Sequence, residues 1–401
     1  MTKRKVFLAY GYSAKNAGDL AICVGAIDLL VGQGLSVTLL SKYDRSDTEY
    51  ASSKAYYHSR YGDKVKVLEA PFTLNRKEVV LKKFVHNLQG LLVVLGLGNP
   101  LSKVIEEEID SSDLVIFNGG NLLRCSSIID YVRLVALYYP IKLAKKAGKQ
   151  YLIFPHSSAH INKMGKGLIG EMVGGAKAVF AREDISYQKL KAEYNLDNIH
   201  KSIDLAFFTD HQDVVSTAKP MESRKTIGFT FRAHTVGDIE EFSEEEKEKI
   251  YQNILATVVG LGEQNRYVFV VQTLKDRQFT LYIKRKIEDK IGAEYEFFEN
   301  YDPIKLIKFY RGIDLLVGMR LHSIILATSV GTPAYGIFYK EWGLKNPGLM
   351  EKLELPYIFM DNNGKVNVED ARTAMEAREH FETRIETIIS AEKAKLVKAL
   401  K

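Results

Sequence analysis

The chain has 401 residues, of which 46% are hydrophobic and 26% charged, an ordinary globular composition and more length than one hydrophobic core organises. Its net charge of +6 is spread along the sequence without a basic arm or repeated basic motif, which excludes nucleic acid as the expected partner and favours small anionic molecules. Only two cysteines occur, Cys23 and Cys125, each in an apolar segment with no Cys or His at metal-ligand spacing; neither a disulfide framework nor a metal site is expected.

The start, Met1 to Lys5, is basic, but the apolar run Val6 to Tyr10 is too short for the core of a signal peptide, so a cytoplasmic protein is expected. Short apolar β-type runs then alternate with helical stretches, the grammar of an α/β fold with a parallel sheet. In the first half these runs are Lys5 to Tyr10, Leu35 to Ser41, Val65 to Glu69, Asp113 to Asn118, Gln150 to Pro155 and Ala178 to Ala181. Several end in Gly, Ser or Asn, and loops at the carboxyl ends of parallel strands are where open α/β sheets bind ligands.

The first such loop, Tyr10 to Asp19, precedes the apolar helix Leu20 to Leu30. Asn16 or Asp19 caps that helix in the plain reading, while Gly11 and Gly18 let the backbone approach a ligand. The spacing is not GxGxxG, so no dinucleotide is inferred. The loop Asn118-Gly119-Gly120-Asn121 follows the same logic.

Residues 79–97 are nearly all Leu, Val and Phe but are interrupted by Lys82, Lys83 and several polar residues, too often for a membrane span. Two readings stand: a buried helix, or a helix resting on the inner face of the plasma membrane with the two lysines near headgroups. His156 and His160 have a spacing that suits a metal on a helix, but no matching carboxylate accompanies them, and a sugar-binding loop is the preferred reading. Arg182-Glu183-Asp184 reads as a structural ion-pair cluster.

The polar stretch 209–225, with Pro220, predicts an interdomain linker. Beyond it the same grammar restarts: strands at Thr226 to Phe231, Tyr267 to Gln272, Tyr295 to Phe298, Leu315 to Gly318 and Ala334 to Phe338, with helices at Ser243 to Leu261 and Asp302 to Arg311. The expected organisation is an N-terminal Rossmann-like domain, 1–208, the linker, a second Rossmann-like domain, 226–366, and a C-terminal amphipathic helix over 367–401 that packs back on the domains.

The strand Leu315 to Gly318 runs into Met319-Arg320-Leu321-His322-Ser323 and a second helix, so a cation and an imidazole stand at a strand end and a helix start, where an anion is favoured. From spacing alone, Arg320 either meets such an anion or pairs with a neighbouring carboxylate. Arg232 ends the first strand of this half and supplies a second cation; its alternative is an ion pair with the acidic run Asp238 to Glu241. Gln272 to Asp276 ends the next strand with polar groups.

Taken together, Asn16-Ala17-Gly18-Asp19, Gly119-Gly120-Asn121-Leu122-Leu123, Arg182-Glu183, Asp204, Arg320-Leu321-His322-Ser323 and Gly331-Thr332-Pro333 give the chain a close resemblance to the polysaccharide pyruvyl transferase family. Asn118 stands where the family often has a third glycine, and Gly318-Met319 where it often has Ser or Ala. The resemblance implies a GT-B-like pair of Rossmann-like domains facing each other across a cleft. It also implies phosphoenolpyruvate as co-substrate, with no cofactor and no metal, and a sugar or lipid-linked oligosaccharide as acceptor.

Carried over by position, Arg232, Arg320, Leu321 and His322 bind the donor, with Lys340 adding charge. His322 is the proton donor, histidine being the residue type whose unperturbed pKa of about 6.5 lies near neutrality, and Arg320 stabilises the departing phosphate. Asn16, Gly18, Asp19, Gly119, Gly120 and Asn121 fall on the acceptor side. Two other classes remain. A GT-B glycosyltransferase or nucleotide-sugar epimerase would suit two such halves, although the helix after Pro333 lacks the Glu that usually holds a donor ribose. An inactive sugar-binding assembly protein would have no need of Arg232, Arg320 and His322.

Overall fold

The structure is a computed structural model that describes residues 3–71, 88, 92–93, 95, 100–158, 160–210, 224–233, 235–236, 239–240, 242–343, 345–362 and 364–401. It divides into two compact units. The first takes in Asp19–Asp210 with the N-terminal strand and Glu392–Lys401; the second takes in His211–Ala391 together with the short stretch Asn16–Gly18.

In the first unit, seven strands form one parallel sheet: β1 Lys5–Gly11, β2 Ser36–Ser41, β3 Val65–Leu68, β4 Leu114–Phe117, β5 Tyr151–His156, β6 Ala178–Ala181 and β7 Ile199–Lys201. Their order is β3-β2-β1-β4-β5-β6-β7. Strand β4 is buried at every position, as both faces of a parallel sheet must be when helices cover them. The order reverses at β1, whose neighbours are β2 on one side and β4 on the other. That reversal leaves a crevice at the carboxyl ends of β1 and β4.

The second unit repeats the scheme. Its strands are β8 Thr226–Thr230, the two-residue hairpin strands β9 Thr235–Val236 and β10 Ile239–Glu240, then β11 Arg266–Val271, β12 Glu296–Glu299, β13 Leu315–Gly318, β14 Ala334–Phe338 and β15 Tyr357–Phe359. Apart from the hairpin they form a parallel sheet in the order β12-β11-β8-β13-β14-β15. The reversal falls at β8, beside β11 and β13. Phe229, Phe231, Phe269 and Phe279 pack ring to ring beneath this sheet, and each fully buried ring contributes roughly 1.5–3 kcal/mol. The helix Glu244–Leu261 begins with a capping box between Ser243 and Glu246, which fixes its start one residue inside the expected span.

Four strands escape a reading by apolar runs. β7 has one buried residue in three, β15 is only partly buried, and β9 and β10 are two residues long. The expected C-terminal helix is two helices, Val368–Glu376 and Arg378–Leu400. At the break, Arg378 turns its guanidinium onto the carbonyls of Arg311 and Ile313. The longer helix buries Phe381, Ile385, Leu396 and Leu400, the apolar stripe visible in the sequence. Among the described residues, no helix is long and apolar enough to cross a membrane. The membrane-surface reading of 79–97 falls outside the described residues except at Leu88, Leu92, Val93 and Leu95.

Candidate functional site

In the second unit the carboxyl ends of β8 and β13 lie side by side, and the chain leaves them as Phe231-Arg232 and Met319-Arg320. Ser323 fixes this junction: its hydroxyl lies 2.8 Å from Thr230 Oγ1 and donates to the Arg320 carbonyl at 2.7 Å. Gly318 has Thr230 Oγ1 3.1 Å and Ile324 Cγ1 3.2 Å from where a Cβ would stand, so the helix Leu321–Thr328 starts close against the sheet.

Of the two readings of Arg320, the structure shows the pairing with a carboxylate. Arg320 is not an unpaired cation, because Nε donates to Asp276 Oδ2 at 2.7 Å and Nη2 donates to Asp276 Oδ1. The carboxylate of Asp276 is almost wholly buried, and it also accepts the Ala233 amide at 2.9 Å. One side chain therefore ties the loop after β8 to the loop after β13. A bond from Arg320 to a ligand must come from Nη1, from the second Nη2 hydrogen, or by displacing Asp276.

Arg232 lies with its guanidinium carbon 4.4 Å from the ring centre of Trp342, so its described contact is an aromatic face. Burial lowers its pKa, the charge of Arg320 lowers it further, and Asp276 and Glu341 oppose the shift. Two like charges thus sit at one strand-end crevice, with the nearest carboxylate already engaged by Arg320. Lys340 is exposed and lies over Phe359 at 5.9 Å; Trp342, two residues on, is what reaches Arg232. His322 is partly exposed in the first turn of its helix. Gly18 is packed against it so closely that an added Cβ would fall 2.4 Å from His322 Nδ1. Asn16, of the same short stretch, forms an isolated bridge with Thr273 and accepts the Gly18 amide at 3.1 Å. Asn16 and Gly18, expected on the acceptor side, are therefore grouped with the residues of the second unit, whereas Asp19 begins the portion that belongs to the first unit.

The first unit has its own strand-end site. Gly120 has a φ of +131°, and a Cβ there would stand 2.2 Å from the Tyr12 hydroxyl, which donates to the Gly119 carbonyl at 2.8 Å. A side chain at Gly119 would meet Leu205 and the Pro155 carbonyl. Asn118, the departure from the third glycine, is fully buried and pins the crevice floor through bonds to the Tyr10 carbonyl and Cys23 Sγ, while accepting the Gly119 amide. Asn121 follows with a buried Oδ1. Around these residues stand Lys42, Arg124 and Arg133, none of which apolar periodicity or motif matching brought forward. A lysine directly after a buried strand, as Lys42 follows Ser41, was the available signal.

Behind this loop, Arg182 is buried in an ion-pair network as expected, but with Asp204 as its partner beside Glu183, while Asp184 pairs with Lys201. Arg182 Nη1 donates to Asp204 Oδ2 at 2.5 Å, and Nε donates to Ser157 Oγ and Glu183 Oε1. Asp204 caps the turn that presents Leu205 to Gly119 and to Gly25. Gly331-Thr332-Pro333 is likewise structural: Gly331 takes φ +75° against Glu382, and Thr332 donates to the Tyr310 carbonyl at 2.7 Å. His156 is not in a sugar-binding loop. It closes strand β5, fully buried and stacked on Phe117, with Nδ1 2.6 Å from the Phe154 carbonyl and its pKa lowered by burial to about 3.

Two doubly wound parallel sheets, each with polar residues where its strand order reverses, place the chain by fold among the GT-B-like α/β proteins. Solved structures with this fold include a putative UDP-N-acetylglucosamine 2-epimerase from Listeria monocytogenes (TM-score 0.54, 16% identity, covering 96% of this chain and 91% of that one). The UDP-GlcNAc 2-epimerase from Neisseria meningitidis, solved with UDP-GlcNAc, shares it too (TM-score 0.58, 12% identity, 99% of each chain). At such identities the likeness concerns the fold alone.

The particular assignment comes from the sequence of the sites: residues 16–341 match the model of the polysaccharide pyruvyl transferase family, and this chain belongs to that family. The amylovoran biosynthesis protein AmsJ of Erwinia amylovora is 22% identical over 384 residues, covering 89% of this chain and 88% of the relative. Membership makes the chain a pyruvyl transferase of polysaccharide synthesis.

Proposed function

We propose that the chain uses phosphoenolpyruvate as donor and converts two hydroxyls of one sugar in an exopolysaccharide precursor into a cyclic pyruvate ketal, releasing phosphate. The observation that carries this reading is the pairing of Arg232 and Arg320 at the reversal of the second sheet, two cations drawn together where a small dianion would relieve their repulsion. Phosphoenolpyruvate carries a carboxylate and a phosphate on one three-carbon enol and so suits two guanidiniums. Leu321 and Lys340 complete the donor side in this reading, with Asp19, Gly119, Gly120 and Asn121 on the acceptor side.

Protonated His322 gives its proton to the methylene carbon, leaving an oxocarbenium-like carbon at the enol position. One sugar hydroxyl adds to that carbon, and its proton returns to the imidazole. The second hydroxyl then displaces phosphate, whose departure Arg320 assists, and the proton of that hydroxyl leaves with the phosphate.

Incubating the full chain with phosphoenolpyruvate and carrier-linked oligosaccharide should release phosphate in step with a pyruvyl gain in acceptor mass. Release of nucleotide from sugar nucleotides, with none of phosphate from phosphoenolpyruvate, would instead favour glycosyl transfer or epimerisation, which the fold also accommodates. His322→Gln should keep donor affinity and lose turnover by roughly a hundredfold or more, within the range of general acid catalysis. Wild-type turnover in that variant would remove His322 from the role.

A further inference from the structure

At the reversal of the first sheet, three cations, Lys42, Arg124 and Arg133, gather with two carboxylates beside them. Lys42 directly follows β2, its amide donates to the Gly11 carbonyl at the end of β1, and its side chain is only 6% exposed. Its ammonium lies 4.6 Å from the ring centre of Tyr12, the side chain that bonds the Gly119 carbonyl. Arg133, in the second turn of the helix Ile128–Lys146, has Nε and Nη2 buried and without a hydrogen-bond acceptor among the described residues. Arg133 and Arg124 flank the same oxygen of Asp130 at 3.5 and 3.9 Å, too long for hydrogen bonds, while Asp130 accepts instead from Ser126. Asp19 is the second carboxylate. The charges of Arg133 and Arg124 add to burial in lowering the Lys42 pKa to about 8, and Asp19 opposes them.

A neutral sugar hydroxyl has no use for such a set. Buried guanidinium hydrogens without an acceptor cost free energy until an anion meets them, and the crevice where a sheet reverses is the place for that anion. With phosphoenolpyruvate assigned to the second unit, the anion in the first must belong to the acceptor. We propose that this site binds the diphosphate joining the acceptor sugar to its carrier, with Lys42 and Arg133 as its ligands, Arg124 at its rim and Asn121 facing the sugar.

The assignment rests on the pyruvyl-transfer reading above, and its test separates the two. Inorganic pyrophosphate is titrated calorimetrically into the full chain with phosphoenolpyruvate saturating, so that the donor site is filled. Binding should weaken with salt, and Arg133→Gln and Lys42→Gln should each weaken it tenfold or more, with Arg133→Lys recovering part of the loss. Circular dichroism and melting establish that each variant is folded.

In turnover assays, the preference in kcat/KM for a diphosphate-linked acceptor over the carrier-free sugar should fall at least tenfold in Arg133→Gln, while KM for phosphoenolpyruvate moves less than twofold. A nucleoside diphosphate sugar and a short-chain prenyl diphosphate sugar, run as separate arms, identify the carrier. Absence of pyrophosphate binding, binding indifferent to both substitutions, or displacement of pyrophosphate by added phosphoenolpyruvate would overturn the proposal. If pyrophosphate binds through Arg133 but no acceptor consumes phosphoenolpyruvate, the donor assignment fails and the anion site stands.

Discussion

Asp276 determines how much of Arg320 a donor can use. Its buried carboxylate holds Nε and Nη2 of Arg320 and the Ala233 amide, so the cation is aimed rather than merely present. Asp276→Asn makes the crevice more positive yet loosens that aim. If positioning dominates, kcat/KM for phosphoenolpyruvate falls roughly tenfold to a hundredfold; if charge alone matters, it rises. Steady-state kinetics with phosphoenolpyruvate as varied substrate decide between them. Gly18 poses the same question for His322. A methyl group there overlaps the imidazole, so Gly18→Ala should lower kcat at least tenfold and shift the melting temperature little, because the neighbour that must yield is a side chain that can rotate.

Among elements, the turns behind the sites carry the family's short motifs. Arg182, Asp204 and Glu183 form a buried network whose product is the position of Leu205, the residue that Gly119 and Gly25 must both accommodate. Arg182→Leu strands the Asp204 carboxylate and should cost about 3–5 kcal/mol, read as a lower denaturation midpoint of the first unit. Gly331→Ala sets a side chain at positive φ against Glu382 and should cost about 1–2 kcal/mol; Glu382→Ala in the same chain should recover only the steric part. Both motifs carry the family resemblance in sequence, and their side chains are engaged in holding loops and helices.

For the whole molecule, pH dependence follows from two buried bases that act with the same sign in different pH windows. His156 titrates near 3 when folded against 6.5 ordinarily, so between those values the unfolded chain binds the extra proton. Stability attributable to it is complete above about pH 6.5 and is lost as pH falls, at up to about 1.4 kcal/mol per pH unit. His156→Gln should flatten the stability profile between pH 4 and 6, which denaturant titrations at several pH values measure. Lys42, folded near 8 against 10.5, acts with the same sign in alkali: its burial costs stability below pH 8 and ceases to do so as pH rises toward 10.5. Deprotonation also removes a ligand of the proposed diphosphate site, so pyrophosphate affinity should drop between pH 7 and 9.

The amino-acid sequence by itself determined the parallel α/β architecture, the two repeated halves, the strand-end placement of Arg232, Arg320 and His322, and the family. These rest on local information: runs of apolar residues as long as a buried strand, the turns that end them, and motifs read in order. Tertiary structure alone decided which side chains meet. Asp276 lies 44 residues from Arg320, and Gly18 touches an imidazole some three hundred residues away. Likewise Lys42, Arg124 and Arg133 become one site only because strand order reverses at β1 and brings the loop after β2 and the loop and helix after β4 to one sheet edge. Periodicity records whether a residue faces the core; it carries no record of which distant loop the fold will set beside it.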